Sequence, residues 1–91
     1  MPVNVNIPPA LREYTRSQSE LVVNASTVGE LLGAIDGRFP GLRAFLISDQ
    51  NELRRYVNIF VNEVDIRLGE GLMTKLKDGD HVYIIPAIAG G

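Results

Sequence analysis

The chain of 91 residues ends in two glycines, Gly90 and Gly91, which makes the terminal carboxylate the candidate active group. Glycine has no Cβ and adopts almost any backbone conformation, so the pair can pass through a slot too narrow for other residues. Six extended residues, 86–91, would carry the carboxylate on the order of 20 Å from the body. The alternative is an ordinary frayed terminus. A chance diglycine is expected in about one chain in 200, so this pair alone leaves both interpretations open.

Side chains that could carry catalysis or bind a metal are few. The chain has no Cys and one His, so it offers no thiol nucleophile, disulfide or iron–sulfur ligand. His81, expected to lie exposed at the start of a strand, would need metal ligands or triad partners from another chain. Other carboxylates lie at or beside predicted turns and are interpreted as solvated turn residues: Glu63, Asp65, Glu70, Asp78 and Asp80. We therefore predict no catalytic residue and no metal site within the chain.

Length and composition favour one globular domain with a binding or carrier role rather than an enzyme. A chain of 91 residues, 45% hydrophobic and 22% charged, can form one core but is small for a scaffold with its own active-site cleft. The net charge is −2 and the nine Lys and Arg are scattered, which gives no basic surface for nucleic acid. No apolar run reaches the ~20 residues of a membrane span, and residues 1–4 lack the charged start of a signal peptide. We expect a cytoplasmic protein that binds neither nucleic acid nor membrane.

The N-terminal half predicts a hairpin followed by a helix. Alternating apolar residues over 3–7 predict a strand that Pro8 and Pro9 end, and the polar residues 12–19 predict a loop before a second short strand over 20–23. Thr27 and Glu30 have the spacing of a capping box. The residues that follow at helical spacing form one apolar stripe: Val28, Leu31, Leu32, Ile35 and Phe39. Gly37 or Pro40 is expected to end this helix.

The C-terminal half predicts three more strands after a segment, 41–55, that fits a helix turn, a strand or a loop equally well. Period-two alternation over 57–62 predicts a strand, and Asn62-Glu63 predicts a tight reversal into a short strand over 64–67. A turn over 77–80, in which Gly79 can take a positive φ, leads into the last strand, 81–85.

These elements predict an α+β fold in which a mixed sheet of four or five strands packs on one main helix as a two-layer roll. The last strand is apolar on both faces, so we expect it inside the sheet. By alternation, Phe60, Tyr83 and Ile85 lie on the outer face, where they would form an apolar patch at the root of the tail if their strands are neighbours. The alternative is that a loop covers them.

The whole chain resembles the β-grasp, ubiquitin-like fold, and specifically the MoaD/ThiS family of sulfur carriers. The resemblance rests on residues 57–62, on the turn 76–80 with the strand and proline that follow, and on the terminal diglycine, all in the family's order. Residues 55–62 and the end 86–91 are most similar to the CysO branch, which donates sulfur for cysteine biosynthesis. They also fit the MoaD branch, which serves molybdopterin synthesis.

The resemblance implies chemistry at Gly91. An E1-like enzyme would use ATP to adenylate the carboxylate, and a sulfur donor would displace AMP to leave a thiocarboxylate. It implies a ubiquitin-like domain over 1–85 and a flexible tail over 86–91. Tail residues Ala87, Ile88, Ala89 and Gly90 would thread into the partner, and the patch would bind the partner's surface. The protein would be a carrier and not an enzyme, with no bound cofactor.

The implied partners are an E1-like adenylyltransferase or sulfurtransferase and a sulfur-accepting synthase, either of the cysteine synthase type or the large subunit of molybdopterin synthase. Three alternatives stay open at this point. The first is a MoaD-like small subunit of molybdopterin synthase. The second is a ubiquitin-like modifier that is conjugated to proteins through Gly91, and the third is an interaction module that does not use its terminus. The sequence does not choose firmly between the cysteine, molybdopterin and thiamin pathways.

Overall fold

A computed structural model describes residues 2–86 of the chain. Within that range no helix has both the length and the apolar character required to cross a membrane. The regular elements are β1 (Pro2–Asn6), β2 (Glu20–Asn24), α1 (Val28–Arg38), α2 (Leu42–Leu46), β3 (Val57–Val61), β4 (Val64–Asp65) and β5 (His81–Pro86). Short 3-10 helices span Pro9–Thr15, Ile66–Leu68 and Gly71–Met73.

The strands form one mixed sheet of order β2-β1-β5-β3-β4. β1 and β2 are the predicted antiparallel hairpin. β5 lies in the centre, parallel to β1 on one side and antiparallel to β3 on the other. The predicted α+β roll, its five-stranded form and the interior position of the last strand are confirmed. The turn into β5 is also as predicted, since Gly79 has a φ of 85°.

The core lies between the inner face of the sheet and α1. Every second strand residue is buried, because successive side chains of a strand point to opposite faces. The buried sheet residues are Val3, Val5, Leu21, Val23, Val57, Ile59, Val61, Val82 and Ile84. The whole predicted helix stripe is buried against them: Val28, Leu31, Leu32, Ile35 and Phe39.

The ends of α1 have the signals predicted from sequence. Thr27 Oγ1 accepts a hydrogen bond from the Glu30 backbone N–H at 3.2 Å, and Glu30 Oε1 accepts from the Ser26 N–H at 3.0 Å. The reciprocal bond therefore reaches one residue further back than in the usual capping box. The helix ends at Arg38, ahead of Pro40. Of the two expected stops Pro40 is the right one, and Gly37 lies inside the helix.

Two sequence-based predictions are wrong and one ambiguity is settled. Residues 12–19 are not simply a loop, because Pro9–Thr15 forms a 3-10 helix that buries Leu11. The strand predicted over 64–67 stops after two residues, and the chain turns into a 3-10 helix that buries Ile66. The ambiguous segment contains α2 and then a single β-bridge.

Candidate functional site

The outer face of β3 and β5 carries the three residues predicted as a docking patch. Phe60 lies opposite Tyr83, and Ile85 lies opposite Asn58. Ile85 is 48% exposed, and Phe60 and Tyr83 are half-buried. We call Phe60, Tyr83 and Ile85 the β3–β5 patch. The two strands are neighbours, as the patch requires, and no segment within residues 2–86 shields Ile85.

The patch lies on a broader face whose strand positions carry no Asp, Glu, Lys or Arg, and the Arg67 guanidinium reaches it only at its edge, at Asn58. The outer positions of the three central strands are Asn4 and Asn6 on β1, His81, Tyr83 and Ile85 on β5, and Asn58 and Phe60 on β3. Charged side chains appear at the next strands outward, where Glu20 of β2 lies opposite Asn6 and Asp65 of β4 lies opposite Phe60. Interface centres are depleted in charged residues because a partner must desolvate them. This arrangement is therefore suited to docking.

His81 belongs to this face. It is the first residue of β5 and is exposed, as predicted. Its ring stacks on that of Tyr83, with centroids 6.3 Å apart and planes at 17°. The spacing of two residues along one strand, which puts both rings on the same face, was the sequence signal for this contact. Within residues 2–86 no group of three His, Cys, Asp or Glu side chains is placed to hold a metal ion.

The described chain ends on the central strand of the sheet, at Pro86. β5 includes Pro86, which lies opposite Val57, one residue beyond the predicted domain end at residue 85. β1 has already ended at Asn6, so the missing N–H of Pro86 removes no bond from that side of the sheet. The predicted threading and adenylation residues, Ala87, Ile88, Ala89, Gly90 and Gly91, lie outside the described residues. Their roles and the division at residue 85 stay predictions.

Arg67 supports the sheet beside the Val57–Pro86 pair, and no residue pattern predicted this role. Its Nη1 donates to the carbonyl of Val57 at 2.6 Å and to Asn58 Oδ1 at 2.7 Å, and its Nη2 donates to the carbonyl of Arg54 at 2.6 Å. The Asn62 N–H donates to the His81 carbonyl, so by antiparallel alternation Val57 directs its carbonyl away from β5. Arg67 thus caps a strand edge that β4 is too short to cover. Its position depends on the 3-10 turn, which the residue pattern did not predict.

The acidic residues near the turns have structural partners. Asp80 accepts from the Lys77 N–H at 2.8 Å and from Asn62 Nδ2 at 3.1 Å. Asp65 accepts from the Arg67 N–H at 2.9 Å, which caps the 3-10 helix. Asp65 and Asp80 each accept a backbone N–H within their own turn. The interpretation of these two carboxylates as turn residues is therefore confirmed.

Two grooves in the described chain lie away from the patch. A shallow groove of about 300 Å³ is lined by α2 and the segment after it, including Arg43, Ser48 and Arg54. A second of about 370 Å³ follows residues 48–56. Neither groove includes a residue of the β3–β5 patch. The outer sheet face is suited to binding a protein surface, since small-molecule sites are concave.

One main helix packed on a five-stranded mixed sheet with a central C-terminal strand is the β-grasp, ubiquitin-like fold, and it confirms the predicted fold class. The chain belongs to the ThiS family, whose model matches residues 5–91. This confirms the family resemblance drawn from the strand and turn motifs.

The chain is also similar to individual proteins whose roles or structures are known. The sulfur carrier protein CysO of Mycobacterium tuberculosis is 39% identical in an alignment of 93 positions that covers 100% of both chains. The small archaeal modifier protein 3 of Haloferax volcanii is 36% identical over 66 residues, 72% of this chain and 71% of the relative. Among solved structures, the crystal structure of the Amycolatopsis orientalis BexX/CysO complex contains a chain that matches with a TM-score of 0.92 and 37% identity, covering 98% of this chain and 99% of that one. The chain is thus similar both to a sulfur carrier and to a protein modifier.

Proposed function

We propose that this protein is a sulfur carrier for cysteine biosynthesis, in which the carboxylate of Gly91 is adenylated by an E1-like enzyme and converted to a thiocarboxylate. The observation that carries the proposal is the similarity to the sulfur carrier CysO over the full length of both chains. The family match also runs to Gly91. Both features favour a function that uses the end of the chain.

Activation is a chemical necessity in this proposal. A carboxylate is a resonance-stabilised anion that repels nucleophiles, so sulfur cannot displace its oxygen directly. In the first step, a carboxylate oxygen of Gly91 attacks the α-phosphorus of ATP and pyrophosphate leaves. In the second step, a sulfide-level donor (HS⁻) attacks the acyl carbon and AMP leaves, and loss of the remaining S–H proton gives the anionic thiocarboxylate. ATP is bound by the enzyme, and this chain supplies the acyl group.

The described residues have a positioning role in the proposal. The partner docks on the β3–β5 patch and the uncharged face around it, and β5 directs the tail from that face into the partner's active site. Residues 87–91 form the thread, and Gly90 keeps it narrow next to the reacting carbon. The same body then docks on a sulfur-accepting synthase of the cysteine synthase type. No side chain of residues 2–86 has a catalytic role.

Intact-mass measurement tests the proposal. The wild-type chain is incubated with its E1-like enzyme, ATP and a sulfur donor, and we expect a mass gain that corresponds to the replacement of one oxygen by sulfur. Omission of ATP should abolish the gain. An unchanged mass with an enzyme that is shown to be active on ATP would contradict the proposal.

A ubiquitin-like modifier is the second candidate, favoured by the similarity to the small archaeal modifier protein 3. It would use the same activated Gly91 but acylate lysine side chains of other proteins. Expression of an epitope-tagged chain distinguishes the two functions. A modifier gives a ladder of covalent conjugates that survives denaturation, whereas a carrier gives the free chain with the added sulfur.

A further inference from the structure

We infer that Arg38 closes a strand-addition surface on the free edge of β2, and that the occupant it excludes is a second copy of this chain. Within residues 2–86, β2 pairs with β1 alone and is an end strand of the sheet. An edge strand presents unpaired N–H and C=O groups that can template another strand, and native proteins block such edges explicitly.

The register identifies which groups of β2 face outward. The Ile7 N–H donates to the Ser19 carbonyl at 2.8 Å, so the alternation of an antiparallel pair directs Leu21 and Val23 toward β1. Val22 therefore directs its N–H and C=O away from the sheet. Its side chain is 62% exposed, which is high for an apolar residue in the middle of a strand.

Arg38 donates a hydrogen bond to this outward carbonyl. It is the last residue of α1, and its Nη1 donates to the Val22 carbonyl at 3.0 Å across 16 residues of sequence. Its guanidinium carbon lies 5.5 Å from the centroid of the Phe39 ring, which holds the side chain by a cation–π contact. Arg67 has the same role at the opposite side of the sheet, where it caps the Val57 carbonyl. On each side of the sheet in the described chain, a guanidinium group thus caps one outward carbonyl.

A second copy fits the β2 edge when Arg38 is removed. Two antiparallel β2 strands related by a two-fold axis at Val22 would pair Val22 with its counterpart, and Glu20 with Asn24 of the second copy. All outward residues of β2 are then used, no like charges face each other, and the exposed Val22 side chains contact one another. The two central bonds of that pairing, each from one Val22 N–H to the other Val22 carbonyl, need the carbonyls to which Arg38 donates. Two Arg38 side chains would also meet near the axis and repel.

The test is the oligomeric state of Arg38→Met, which keeps most of the aliphatic stem next to Phe39 but removes the charge and every donor. Sedimentation velocity over a concentration series up to the millimolar range should give a monomeric wild-type chain. The variant should show a rise toward twice the mass of one chain. Arg55→Met is the matched control, because Arg55 is exposed, lies outside β2 and α1, and loses the same charge; it should stay monomeric.

A double variant locates the association. In Arg38→Met/Val22→Pro the proline removes the outward N–H of Val22 and leaves every bond to β1 intact, since edge positions whose N–H faces solvent tolerate proline. It should return the protein to a monomer. A monomeric Arg38→Met chain, or a dimer that Val22→Pro does not dissociate, would overturn the inference. If Arg38→Met does not fold, hydrogen exchange of the wild-type chain is the test. The Val22 amide should exchange rapidly and at a rate that does not depend on protein concentration. Protection of this amide that grows with concentration would overturn the inference.

Discussion

Phe60 lies directly opposite Tyr83 across the central strands β3 and β5. The Asn62 N–H donates to the His81 carbonyl one step along the same ladder, so Phe60 and Tyr83 form a hydrogen-bonded pair whose side chains project to the outer face. Their positions are held by the rigid centre of the sheet. A partner that contacts both rings therefore meets a preorganised surface next to the exit of the tail.

Truncation of Phe60 tests the patch. Phe60→Ala should weaken binding to the E1-like enzyme by about 2 kcal/mol or more, about 30-fold, which is typical of an aromatic anchor. Titration calorimetry measures the affinity and chemical denaturation measures the stability. Leu68→Ala is the control, because Leu68 is 85% exposed and lies outside the patch; its affinity should be unchanged. A loss of stability with full affinity would show that Phe60 serves the core instead.

The absence of carboxylates from the outer strand positions of the docking face is tested by a nearly isosteric substitution. Asn6→Asp places a carboxylate beside Tyr83, which lies opposite residue 6 on the neighbouring strand. Burial of that charge under a partner should weaken the binding free energy by about 1 kcal/mol or more, which is a loss of at least about fivefold in affinity. Asn24→Asp makes the same change on the edge strand β2 and should have little effect. Equal losses for the two variants would attribute the effect to net charge and not to the face.

The helix stripe is tested at Leu32, which is 1% exposed. Leu32→Ala should lower the free energy of unfolding by roughly 2–5 kcal/mol, because it removes buried atoms and leaves a cavity. The same substitution at the exposed Leu68 should change it by less than about 0.5 kcal/mol. Urea denaturation of both variants measures the difference, and similar values for the two would contradict the burial of the stripe.

Two glycines one turn apart in α1 should respond oppositely to alanine. Nothing lies within 4 Å of a Cβ built at Gly33, so Gly33→Ala should stabilise the protein by up to about 1 kcal/mol through helix propensity. A Cβ at Gly29 would lie 3.3 Å from the carbonyl oxygen of Leu72. Gly29→Ala should therefore cancel that gain and destabilise the protein. Thermal melts compare them, and an equal rise in Tm for both would show that the Gly71–Met73 turn yields without cost.

The terminus is tested by changing its length. Deletion of Gly91 leaves a carboxylate on Gly90 that falls about 3.5 Å short of the activating site, and one residue added after Gly91 converts the acyl carbon to an inert amide. Both variants should fold normally but fail in ATP–pyrophosphate exchange with the E1-like enzyme and fail to gain sulfur. Full activity of the Gly91-deleted chain would remove the basis of the carrier proposal and favour the interaction module.

The sequence predicted those elements whose signal is local and repeated. Alternation over 57–61 and 81–85 placed Phe60 and Tyr83 on one face, and the Thr27 and Glu30 pair located the start of α1. The short helices were missed because their formation depends on distant contacts, such as the burial of Leu11 in the core. The contacts of Arg38 and Arg67 were invisible for the same reason, since a long side chain finds a carbonyl 16 or 10 residues away only after the sheet has formed.

The central position of β5 has a mechanical consequence. Any pull applied through the chain beyond Pro86 acts along β5, which is flanked by β1 and β3. Such a force loads the hydrogen bonds of both ladders in shear, whereas a pull on an edge strand peels its bonds one after another. Unfolding under force is governed by the barrier to the first rupture, and here many bonds must break together. The fold of residues 2–86 should therefore resist a force that is applied to the chain beyond Pro86.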